Sequence, residues 1–96
     1  MKSLIINLSD YDLYLNSRLL GREIINEHKS DIICAEKIIV NFNNVKEITL
    51  SFTTEIFDSL HTLNNNFEII NVDSKLSTLV HFCISNLKQK DNLILN

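Results

Sequence analysis

Apolar residues recur along this chain at two alternating spacings, short β-branched runs and helical stripes, and the alternation predicts its elements. Ser3 to Leu8 reads as a first strand, followed by a polar stretch from Ser9 to Asn16 rich in turn and helix-start residues. From Ser17 to His28, Leu20, Ile24 and Ile25 fall at helical spacing, with Glu23 and Glu27 on other faces. Lys37 to Phe42 is a β-branched run bounded by Asn43 and Asn44, the pattern of a strand buried on both faces, and Ile48 to Leu50 extends or neighbours it. A second helix is predicted over Ser51 to Leu63, where Phe52, Ile56, Leu60 and Leu63 form one stripe that stops at Asn64-Asn65-Asn66. Phe67 to Val72 is a further strand. Leu76, Leu79, Val80, Cys83, Ile84 and Leu87 then trace a third helix, closed by Lys88 and Lys90 at its negative end. Leu93 to Leu95 reads either as a fourth or edge strand or as a frayed tail.

Strands joined through helices must run parallel, with right-handed crossovers. The expected fold is therefore α/β, one small domain over residues 1–96, with a mostly parallel or mixed sheet of about four strands and about three helices.

Ninety-six residues leave room for one core, and 45% apolar content lets that core form without disulfides or metals. Cys34 and Cys83 lie too far apart in sequence to suggest a framework and read as buried, reduced thiols. The nine basic residues are scattered among twelve acidic ones, so no electrostatic footprint for nucleic acid is present. No apolar run approaches the ~20 residues that cross a bilayer, and Met1-Lys2 does not open a signal-peptide pattern. These features predict a soluble, cytoplasmic protein that contacts neither nucleic acid nor membrane. Thirteen asparagines, with no proline or tryptophan, are compositional bias without functional meaning.

Little here suggests catalysis. A nucleotide-binding turn needs several glycines so that backbone N–H groups can approach phosphate. The single glycine, Gly21, sits inside the first predicted helix and reads as a close-packing point between helix and sheet. His28, His61, His81, Cys34 and Cys83 include no pair at metal-ligand spacing. Glu23, Glu27, Glu55 and Asp58 are explained as solvated helix positions, Glu55 additionally as a first-turn carboxylate favoured by the helix dipole. The expectation is a protein with no enzyme activity, no cofactor and no metal.

The most informative stretch is Ile48-Thr49-Leu50-Ser51-Phe52-Thr53-Thr54-Glu55, which leaves a strand and opens a helix. Its hydroxyls crowd a place where backbone N–H groups lack intrahelical partners. Ordinary N-capping by Ser51 or Thr53 accounts for them. A recognition surface is the alternative, since ligands and partners meet open α/β sheets at the carboxyl ends of strands.

The segment Lys37 to Ile56 resembles the central part of STAS-like domains, a bacterial branch related to the anti-sigma-factor antagonists and to the domain of sulphate transporters. Asn41, Phe42, Val45, Ile48, Thr49, Ser51, Phe52 and Glu55 stand at the pattern's positions. Ser17 to Arg22 resembles the helix that opens that branch, so the likeness spans residues 17–86. The resemblance implies a mixed sheet backed by helices, no enzyme activity, and regulation through protein–protein contact, often with a GHKL-type ATP-binding or kinase-like partner. It places partner binding at Thr49, Ser51, Thr53, Thr54, Glu55 and Asp58, with homo-oligomerisation a further option. One departure matters: the Asp-Ser pair of the phosphorylated antagonists aligns with Thr49-Leu50, so their phosphoserine is absent. Two other classes compete with a regulatory interaction module. One is a small accessory or defence factor of a mobile element, acting through oligomerisation or inhibition; the other is a small-ligand or nucleotide sensor.

Overall fold

The computed structural model describes residues 2–95, and the side chains of residues 2–87. The chain runs β1 (Ser3–Asn7), a 3-10 turn (Leu8–Asp10), β2 (Tyr14–Leu15), α1 (Arg18–Cys34), β3 (Lys37–Asn41), β4 (Glu47–Ile48), α2 (Leu50–Leu63), β5 (Phe67–Ile70) and α3 (Ser74–Leu95). This is the expected α/β fold with three helices, but its strands form two parallel sheets. One has the order β1-β3-β5 and the other pairs β2 with β4. In the larger sheet Ser3 lies opposite Lys37 and Ile38 opposite Phe67, so that Leu4, Ile38 and Phe67 fall in one row and Ile5, Ile39 and Glu68 in the next.

That register sorts the two faces. Ile6, Ile38 and Val40 are buried, and Leu4, Phe67 and Ile69 pack against the same core. Ile5, Ile39 and Ile70 point the other way and take no part in it. Right-handed crossovers from β1 to β3 to β5 move in one direction, which puts their helices on one side of the sheet. Phe57 of α2 joins helix to sheet there, stacking on Phe67 at 5.9 Å between ring centroids and lying 6.5 Å from Phe42. The opposite face carries the Lys37–Glu68 ion pair at 2.5 Å. An amide chain also crosses it, in which Asn71 donates to Asn41 and Asn41 to Asn7, both at 2.9 Å.

Several boundaries differ from expectation, each for a local reason. β1 stops at Asn7 because Leu8 turns into the 3-10 segment and is fully buried. The stretch 9–16, expected as a turn, contains β2: the carbonyl of Leu13 accepts from Lys46 and Glu47, and that of Leu15 from Thr49. Two-residue strands carry no periodicity for a sequence to display. α1 continues past His28 to Cys34 because Ile32 extends the stripe of Gly21, Ile24 and Ile25. Ser17 caps its start by accepting from the Leu20 amide at 3.0 Å. At the other end the Asn64 side chain donates to the carbonyls of Ile32 and Ala35, both at 2.8 Å. α3 runs through Lys88 and Lys90 to Leu95, so those lysines do not close it, and 93–95 is helix rather than strand or tail. Leu76, Val80, Cys83 and Leu87 are buried as their stripe requires, with Ile84 packed beside them.

Two single-residue expectations are corrected. Cys34 is exposed, because it ends α1 beyond the buried stripe. Gly21 is buried in the crossing of α1 with α2 and not against the sheet. A Cβ there would stand 3.2 Å from Cβ of Glu55 and 3.3 Å from the Phe52 carbonyl oxygen.

Candidate functional site

The six residues singled out around the start of α2 divide among three surroundings. Thr49, not Ser51 or Thr53, is the N-cap: its hydroxyl accepts from the Phe52 amide at 3.3 Å, and the helix begins at Leu50. Thr53 is buried and its hydroxyl donates back to the Thr49 carbonyl at 2.7 Å. Both hydroxyls thus complete the helix start. Thr54 turns toward α3, with its hydroxyl 3.8 Å from the Cys83 sulfur. Burial pushes the Cys83 thiol up from its ordinary range, the Thr54 contact opposes the shift, and nearby Asp58 adds to it.

Ser51, Glu55 and Asp58 share the remaining side, at i, i+4 and i+7 along α2. Ser51 is exposed, while Glu55 and Asp58 are half-buried. Glu55 lies in the second turn, so the dipole argument made for it does not hold. Instead it faces Arg22 across the helix crossing, 3.8 Å from Nε, and accepts a long bond from Ser59 at 3.5 Å.

Glu55 and Asp58 form one wall of an open cleft of about 310 Å³, and Arg22, Asn26 and Lys29 of α1 form the other. Ile25 and Leu63 supply its apolar part, with Ser59 and Thr62 along the α2 side. The α1 residues are the ones that sequence reasoning missed. Their signal was available: Arg22, Asn26 and Lys29 repeat the i, i+4, i+7 spacing of Ser51, Glu55 and Asp58, with opposite charge. The cleft is a cationic helix edge facing an anionic one, with Gly21 holding the two helices close.

Other polar groupings occur among the described residues. A second cleft, of about 410 Å³, lies near the carboxyl ends of the strands and is lined by Asn16, Lys46, Thr49 and Lys75 among others. On the opposite side of α1, the Tyr11 hydroxyl donates to Glu27 at 2.5 Å and lies 2.6 Å from Nε2 of His28. A phenol has one proton, so with Glu27 accepting it, His28 must donate through Nε2. Burial and the Glu27 contact drive the Tyr11 hydroxyl well above its usual range. No three His, Cys, Asp or Glu side chains gather as a metal site among the described residues. None of the described helices is long and apolar enough to cross a membrane.

Compared with known protein families, characterised proteins and solved structures, the chain matches none of them.

Proposed function

We propose that this chain is a non-enzymatic, bacterial regulatory module of STAS-like type that docks another protein along the outer side of α2. The supporting observation is Glu55 and Asp58 of α2 facing Arg22, Asn26 and Lys29 of α1 across an open polar cleft with charges of both signs, with the exposed Ser51 one turn before them on the same side of α2. Such a surface suits a partner helix or loop carrying its own mixed charges, because complementary patches set register and orientation more than raw affinity. The resemblance directs the choice of partner to a GHKL-type ATP-binding or kinase-like protein. Thr49 and Thr53 drop out of the docking surface in this reading, since the helix start uses their hydroxyls, and Thr54 drops out because it faces α3.

The test is capture by the full-length tagged chain from a bacterial lysate, in parallel with Ser51→Asp and with the double variant Glu55→Lys, Asp58→Lys. Melting is followed on each by circular dichroism. An ATP-binding or kinase-like protein held by the wild type and lost from variants that melt normally supports the proposal. Equal retention by all three chains moves the docking surface off α2, and retention of no such protein overturns the proposed partner class.

A further inference from the structure

The two edges of the larger sheet are finished differently. β5 is four residues long, carries the charged Glu68 and is followed by Asn71, whose φ of 60° turns the backbone out of the extended region. Those are devices that discourage another strand from adding. β1 has none of them: Ser3–Asn7 is five regular residues with no charge, glycine, proline or bulge, and β3 is its only paired neighbour among the described residues. Its outward row of backbone donors and acceptors is therefore a template for one more strand. Ile5, in the middle, is 53% exposed.

The sequence of β1 says which strand fits. Ser-Leu-Ile-Ile-Asn reads polar, apolar, apolar, apolar, polar in either direction about Ile5. If two copies pair antiparallel about a two-fold axis at Ile5, Ser3 opposes Asn7 of the second copy, Leu4 opposes Ile6, and Ile5 opposes Ile5. Every apolar residue then meets an apolar residue, Leu4 and Ile6 stay on the helix-covered face, and both sheets keep their helices on one side. The charges agree as well. Lys2 of each copy comes opposite Leu8 of the other, beside the turn that carries the exposed Asp10, so opposite signs approach at both ends.

We propose that β1 is a self-pairing edge, and that two copies of this chain join through it into one six-stranded sheet. The interface is separate from the α2 cleft and does not depend on the docking reading.

Sedimentation equilibrium on the full chain, from micromolar to millimolar, reads the assembly directly. The wild type is expected at twice the chain mass and Ile5→Lys at the chain mass, because two lysines would face each other on the axis. A wild type that stays at the chain mass overturns the proposal. So does an Ile5→Lys variant that remains a dimer, above all if Ile39→Lys on the neighbouring strand dissociates it, since the contact would then be the open sheet face. Should Ile5→Lys fail to fold, a nitroxide at Ile5→Cys in a Cys34→Ser background gives an independent reading. Self-pairing puts the two labels closer than the molecule's shortest dimension of 23 Å, and a longer separation refutes it.

Discussion

Where α2 crosses α1, the contact is set by a missing side chain; where it meets α3, it is set by filled hydrocarbon. At the first seam Gly21 lets the backbones approach, and a Cβ there would meet the Phe52 carbonyl and the base of Glu55, neither of which can swing away. The rim of that seam is polar and open. At the second, Leu76, Val80, Cys83 and Leu87 of α3 are buried, and Thr54 of α2 meets them with its hydroxyl beside the Cys83 sulfur. The first seam fixes a distance and leaves charged groups in view, which suits recognition. The second holds the helix layer together, and little of it is on display.

The second seam is the more sensitive of the two to substitution. Val80→Asp places a carboxylate at a buried position and is expected to abolish cooperative melting, while Leu87→Ala should cost about 2–5 kcal/mol as a core truncation. Denaturant titration measures both. A wild-type midpoint in either would mean that α3 is not core. At the first seam, Gly21→Val is expected to cost about 1–3 kcal/mol, as overpacking does. Gly21→Ala should fall nearer to zero, because the gain of about 1 kcal/mol in helix propensity offsets part of the crowding. If valine is tolerated like alanine, the crossing is looser than the distances imply.

A smaller effect separates the two hydroxyls at the head of α2. Thr49→Ala should cost about 1 kcal/mol as a lost cap, and Ser51→Ala about nothing. Equal losses would return the cap to Ser51.

Alkali should give the smallest change. The Cys83 thiol, held up by burial, and the Tyr11 hydroxyl, held up by burial and by Glu27, both keep their protons in the folded chain after the unfolded chain has released them. Their contribution is therefore fully present below the unfolded values, 9.0 for cysteine and 10.0 for tyrosine, and declines as pH rises beyond each. Melting temperatures should begin to fall near pH 9 in the wild type and near pH 10 in Cys83→Ala. The same onset in both would remove Cys83 from the account.

What could be read before the structure was what long periodic stretches carry. The stripes of α2 and α3 and the β-branched run of β3 each repeat often enough to fix type and buried face, and the alternation around them fixed the parallel sheet. β2 was illegible, and β4 was seen only as an extension or neighbour of β3 at Ile48 to Leu50, because their pairing rests on backbone groups of residues 13–15 and 46–49, not on side-chain pattern. The end of α1 was misjudged because Lys29, Ser30 and Asp31 are polar together, although they occupy its exposed side and Ile32 returns to the core. For the candidate site, the α2 stripe Ser51, Glu55 and Asp58 was in hand, but Thr49, Thr53 and Thr54 were grouped with it by proximity in sequence. A helix turns about 100° per residue, so neighbours in sequence face different surroundings. The α1 wall went unseen because only the Gly21 crossing puts it opposite α2.

The strand order β1-β3-β5 has a kinetic consequence. Each strand pairs with the one laid down a single helix earlier, so no pairing has to wait for a distant part of the chain. Folding of such a topology can advance in the direction of synthesis, β1 and β3 closing over α1 before β5 exists, with loop-closure entropy kept low at every step. Among the described strands, growth takes place at the β3 and then the β5 side. The outer edge of β1 is not covered by these strands, so a nascent chain would offer it to a neighbour on the same message well before α3 is complete.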